Sequence, residues 1–382
     1  MATGTAAGDR AHAGSSLKVP AVERARTWLA DRDDDLIRCH LALRGASTAG
    51  PGPHPLSPEL VETVTRHPAV ATALGRQWPD GSWGPTEDSD RRLLPTLWMT
   101  KVLTELGLDS TSPAWRRAVG FLTSNAHTPD GTFSITGRRT GVLSCYVGIA
   151  AATYLRGGRP DLAAPQVTWL LTYQDVRVRG CSLRPGVVGE FSPHLRTRYG
   201  GCLSSTTCLV GLVKAGIALE LWRRAHPTDD ATEATDTLLG AIREAFLARS
   251  LFRRGDGSVL PLGTTPERAD QWLLPSFPLD WRTDLVEVVG LVTRTGTPDV
   301  RLQPALDALA EQQLPDGSWP LRRSFRPADL PVVDRASTRR GSPWVTLRVV
   351  DALSDLVSDG VGPRTTPTSP RTASGSAGPR PR

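Results

Sequence analysis

The seven residues Gln77-Trp78-Pro79-Asp80-Gly81-Ser82-Trp83 return as Gln313-Leu314-Pro315-Asp316-Gly317-Ser318-Trp319. A chain that repeats such a segment repeats the structure around it. Pro and Gly break a helix, Asp bonds back to the turn backbone, and the flanking Gln and Trp can tie neighbouring units together. The segment reads as a corner between two helices. Weaker copies stand at His127-Thr128-Pro129-Asp130-Gly131-Thr132-Phe133 and Arg253-Arg254-Gly255-Asp256-Gly257-Ser258-Val259. Asp80 and Asp130 are 50 residues apart, and the same step again lands on Gly180-Cys181, just after Tyr173-Gln174, where a worn fifth copy is expected. A period near 50 that carries two helices is the mark of stacked helical hairpins.

Around these corners the apolar pattern alternates. Helices expected at 94–107, 141–156, 204–223, 283–295 and 342–357 are apolar on most sides and rich in small residues, as suits an inner layer. Those expected at 58–75, 113–125, 161–173, 232–250 and 301–313 carry Arg and Asp on one side and read as an outer layer. A first helix is expected from Val19 or Pro20 to Leu43. The ends, 1–18 and 359–382, are Ala, Gly, Ser, Thr, Pro and Arg with little to bury, and are expected to be disordered tails around one domain at 19–358.

The net charge of +6 comes mostly from those tails, so the body is close to neutral and no nucleic-acid partner is implied. All but three of the 45 basic residues are arginine, the lysines being Lys18, Lys101 and Lys214. Five cysteines and no signal-like start argue against a secreted disulfide scaffold and for the cytoplasm. No apolar run reaches the roughly 20 residues of a spanning helix, which leaves peripheral contact with a bilayer open. Oligomeric state is not legible.

The Gln-x-x-Asp-Gly-Ser-Trp corners, and the run from Gln77 to Gly107 (QWPDGSWG, then DRRLLPTLWMTKVLTELG), resemble the terpenoid cyclase and protein prenyltransferase superfamily, and in particular the first unit of class II terpene cyclases. The resemblance covers about 57–357. It implies an all-α fold, an α/α toroid of five or six helical hairpins around a cavity for an isoprenoid chain. Three activities stay open: a terpene-cyclase-like isomerase in specialised metabolism, a non-catalytic toroid that binds a lipid or partner protein, and a zinc-dependent prenyltransferase-like enzyme.

Class II cyclisation needs one carboxyl kept protonated in an apolar cavity. The family's Asp-x-Asp-Asp letters occur at Asp31-Arg32-Asp33-Asp34, but upstream of every corner, so the role is not carried over. Asp88 and Asp90, just ahead of an inner helix, are the better placed acids. Arg91, Arg138, Arg139 and Arg198 lie near helix starts and suit a diphosphate, which would bring Mg²⁺ with it. Trp98, Tyr146 and Trp281 offer π faces to a developing cation. Cys145, Cys181, Cys202 and Cys208, with His194, fall where one rim of a toroid would gather them, and thiolate and imidazole suit Zn²⁺. Packed core thiols explain the cysteines equally well. Around Cys208 the segment SSTTCLVGL has Thr206 and Thr207 where the prenyltransferases have a zinc-binding His.

Overall fold

The computed structural model describes residues 18–46, 58–86, 88–176, 208–260, 271–335, 337 and 339–358. Among them the chain is all-helical, with 13 α-helices, short 3-10 turns, and isolated β-bridges in place of any strand. In order these are α1 Lys18–Ala30, α2 Asp35–Ala46, α3 Pro58–Arg66, α4 Pro68–Gly75, α5 Ser89–Leu106, α6 Pro113–Asn125 and α7 Ser144–Arg156. There follow α8 Pro160–Tyr173, α9 Leu209–Ala225, α10 Thr232–Leu247, α11 Leu285–Arg294, α12 Gln303–Ala310 and α13 Pro343–Ser358. The expected tails, Lys18 apart, and most of the worn corner lie outside the described residues.

Two expected helices are each a pair. The one expected from 19 to 43 breaks at 31–34, because the Asp34 carboxylate accepts the Ile37 amide at 3.1 Å and so starts α2 as a separate helix. Asp31-Arg32-Asp33-Asp34 is therefore a turn, with Asp33 and Asp35 both on Arg38. The helix expected over 58–75 breaks at His67, where Pro68 bars helical backbone for the residue before it. Elsewhere the boundaries agree closely, except that α5 begins at Ser89 rather than 94 and holds Pro95 inside it.

Five helices, α5, α7, α9, α11 and α13, are buried round most of their circumference, and they pack in that order, α5 on α7, α7 on α9, α9 on α11, α11 on α13. Beyond α13 come α1 and α2, and α2 reaches α5 through His40, whose ring nitrogen lies 3.1 Å from the Leu106 carbonyl. The helices α6, α8, α10 and α12 pack against this set and keep one face in solvent. Close approach needs small residues: a Cβ on Gly148 of α7 would stand 2.5 Å from the Lys214 carbonyl of α9.

Corners set the spacing between these helices. At the first, the Asp80 carboxylate accepts the Ser82 amide at 3.1 Å and the Ser82 hydroxyl at 2.6 Å, closing the turn. The Gln77 amide donates to Gly81 carbonyl at 2.9 Å and to Ala114 carbonyl of α6 at 2.8 Å, while its oxygen accepts from Arg117. Trp83 is fully buried, its indole N–H on the Ala73 carbonyl at 2.7 Å and its amide on the Thr96 hydroxyl at 2.9 Å. The last corner repeats each bond: Ser318 on Asp316, Gln313 on Gly317 and Ala21 carbonyls at 2.8 and 3.0 Å, Arg24 on Gln313, and Trp319 on Leu309 and Thr346. Its docking partner is α1, at the opposite end of the chain.

Candidate functional site

The helices expected to be apolar meet in charge. Lys214 on α9 donates to both oxygens of Glu287 on α11, at 2.6 and 2.8 Å. Lys101 on α5 donates to Glu105 one turn on at 2.6 Å and to the Leu279 carbonyl at 2.9 Å. Arg348 on α13 forks onto Asp284, the N-cap of α11, at 2.8 and 2.9 Å, and also reaches the Ser276 carbonyl. Glu220 takes Arg224 at 3.2 Å and Arg294 at 3.6 Å, and Arg156 stands 3.9 Å from Glu105. The Lys101 and Lys214 side chains are only 6% and 3% exposed. Both described lysines with resolved side chains thus lie in the interior of an otherwise arginine-rich protein.

Removing such charges from water is offset only when each is paired and hydrogen-bonded. Here they are. Burial opposes the charge on Glu287, but Lys214, Arg348 and Lys101 outweigh it and hold its carboxyl down at about 2. Burial pulls the Lys101 ammonium below its usual value, with Glu105 opposing and Lys214 adding to the shift. Between Lys101, Gly148, Ala152, Lys214 and Glu287 the free space is about 10 Å³, the room of about one water molecule. Glu287 is thus a fixed counter-ion and cannot supply a proton near neutral pH.

One half-buried carboxyl behaves oppositely. Asp334, between the last corner and α13, is pushed up by burial, against the Ser342 hydroxyl and Arg335 amide that bond to it. In the second corner, His127 stands where the others have Gln or Arg; burial pushes it down to about 4, with its Nε2 at 2.9 Å from the Tyr154 hydroxyl. The Gln bond is made there in reverse, by Gln166 of α8 to the Gly131 carbonyl at 2.7 Å.

Of the residues singled out from sequence, Asp88 is exposed ahead of α5, and the Asp90 side chain is outside the described residues. Arg91, Arg138 and Arg139 are exposed, and Arg198 is outside the described residues. Trp98 and Tyr146 do come together, rings 5.5 Å apart on α5 and α7, with Trp98 one turn before Lys101. Trp281 is half-buried under the Arg282 guanidinium, 4.9 Å from its ring. Cys145 is buried in α7, and Cys208 caps α9, its sulfur 3.3 Å from the Gly211 amide. Cys181, Cys202 and His194 lie outside the described residues, among which no group of three or more His, Cys, Asp or Glu gathers to hold a metal. No helix among them is long and apolar enough to cross a membrane. The charged interior itself was missed. Its signal was present in the sequence: Lys101 and Lys214 sit inside apolar stretches of a chain that elsewhere spells its cations Arg.

No family model and no curated protein matches the chain. Among solved structures, a protein from Actinoplanes is similar at 16% identity with a TM-score of 0.32, over 75% of this chain and 97% of its own.

Proposed function

We propose that the chain is a closed ring of six helical hairpins, an α/α toroid, and that it is a non-catalytic member of that architecture. The ring is supported by the last corner, where Gln313 holds Ala21 and Arg24 of α1 as Gln77 holds Ala114 and Arg117 of α6. By that correspondence α1 is the outer helix that follows α12, and α1 with α2 is the sixth hairpin. The function rests on one observation: among the described residues the inner helices of such a ring meet at Lys101, Lys214 and Glu287 around a space of about 10 Å³. A polyene cannot enter that space, and its charges would cost a passing hydrocarbon its burial. Incubation with farnesyl diphosphate, geranylgeranyl diphosphate and squalene, with and without Mg²⁺, is expected to give no product by mass spectrometry. A cyclised product overturns the reading.

A second reading, an isoprenoid cyclase, has Asp334 in its favour, since burial holds that carboxyl toward its neutral form. If turnover is found, Asp334→Asn abolishes it while Asp88→Asn leaves it unchanged.

A further inference from the structure

Residues 271–284 lead into α11. Leu279 lies just ahead of α11, which packs on α9, α12 and α13, yet its carbonyl sits on Lys101 of α5, which packs on α6 and α7. Phe277 stacks flat on Trp344 of α13 with ring centroids 4.7 Å apart, and Phe277 and Leu279 are 4% and 5% exposed. The segment's backbone also pairs with the stretch after the last corner: Phe277 amide to Arg323 carbonyl at 3.1 Å, Arg322 amide to Pro275 carbonyl at 3.0 Å, and Phe325 amide to Pro278 carbonyl at 3.0 Å.

We propose that residues 275–281 form an intramolecular plug, seated in one mouth of the ring and latched by Lys101 and Arg348, which leaves and returns as a unit while the helices stay folded. The inference rests on the closed-ring reading above. Its physical basis is the way the latch is made. Lys101 and Arg348 hold the plug by backbone carbonyls, Leu279 and Ser276, Asp284 also accepts the Ser276 amide at 2.9 Å, and each cation keeps a carboxylate, Glu105 for Lys101 and Asp284 for Arg348. When the plug lifts, neither cation is left buried without a counter-ion, so release does not carry the penalty that breaking a buried ion pair would. The side chains that leave with it, Phe277 and Leu279, are buried, and Phe277 uncovers an apolar seat on Trp344. An open ring therefore offers an aromatic-lined mouth to an apolar group, and a sealed ring does not.

Hydrogen exchange on the full chain tests this. The amides of Phe277 and Leu279 are expected to exchange at least tenfold faster than those of α7 at low denaturant, and to converge with them only near the unfolding transition. Phe277→Ala, which touches no charge, is expected to raise the plug exchange a further tenfold or more with α7 unchanged. The same variant is expected to bind 1-anilinonaphthalene-8-sulfonate at one site per chain where the wild type binds none. If the plug amides exchange at the α7 rate in wild type and in Phe277→Ala, or if loosening the plug always loosens α7 with it, the segment is ordinary core and the proposal fails. Polyprenyl turnover is not among these readouts, so the plug and the non-catalytic reading fail separately.

Discussion

The corner at 77–83 and the corner at 253–259 close the same turn, and only the first is docked. In both, an Asp carboxylate takes the amide and hydroxyl of the Ser two residues on, Asp80 with Ser82 and Asp256 with Ser258. In both, the first residue bonds the Gly carbonyl, Gln77 to Gly81 and Arg253 to Gly257, each at 2.9 Å. The difference begins beyond the turn. A Cβ on Gly81 would stand 2.3 Å from the Arg117 carbonyl of the next outer helix, whereas one on Gly257 would meet nothing within 4 Å among the described residues. Residues 254–258 lie in solvent, and the helix that would receive them, α12, has 8 residues where α6 has 13. The Asp-Gly-Ser core thus makes a turn by itself. Gln and Trp are what fasten it to the next unit.

The largest expected effect comes from the fastening Trp. Trp83→Ala or Trp319→Ala removes a buried indole and strands the carbonyl that accepts its N–H, and is expected to cost about 3–5 kcal/mol in urea unfolding. Val259→Ala, at the matching place of the undocked corner, is expected to cost about 1 kcal/mol, since Val259 is only half-buried. Equal losses at the two corners would mean that the Trp side chains pack locally and do not fasten units.

These corners were legible because their chemistry is local and repeated. Pro, Gly, Asp and Ser act within a few residues of one another, and a second copy removes most of the ambiguity of a single one. The break at His67-Pro68 was equally local and is explained by Pro68 alone. The interior was not legible in the same way. Lys101 and Glu105 have the i, i+4 spacing that also suits an exposed helix face, and Lys214 needs Glu287, 73 residues away, to become tolerable in a core. Apolar neighbours surround these lysines in the sequence, and the charges they meet become visible only when α5, α9 and α11 are placed side by side.

Glycine separates turn strain from docking. Gly81 and Gly257 hold φ of 91° and 82°, so alanine pays the left-handed backbone cost at both, about 1–2 kcal/mol. At Gly81 the new methyl must also displace the Arg117 backbone, which overpacking puts at about 1–3 kcal/mol more. Gly81→Ala is therefore expected to lower the urea midpoint clearly further than Gly257→Ala. Similar midpoints for the two would show that the first corner can shift away from α6 without loss, and the docked and undocked corners would then differ in appearance only.

The smallest effect falls on the join between the chain's two ends. Gln313 donates to the Gly317 and Ala21 carbonyls and accepts from Arg24, so one side chain ties the last corner to α1 across 292 residues. Its counterpart in the undocked corner, Arg253, bonds its own turn at Gly257, and no bond from its side chain to another helix stands among the described residues. Gln313→Ala strands the Ala21 carbonyl in a half-buried place and is expected to cost about 1–2 kcal/mol, while Arg253→Ala costs about 0.5 kcal/mol or less. Global stability alone would not tell closure from ordinary packing, because α1 also packs on α13. Local opening does. Amides of α1 are expected to exchange roughly tenfold faster in Gln313→Ala, in proportion to a loss of about 1.4 kcal/mol confined to that helix, with those of α6 and α7 unmoved. If α1 exchanges as in wild type, its contacts with α13 hold the ends together and the last corner, like the one at 253–259, is a turn without a fastening role.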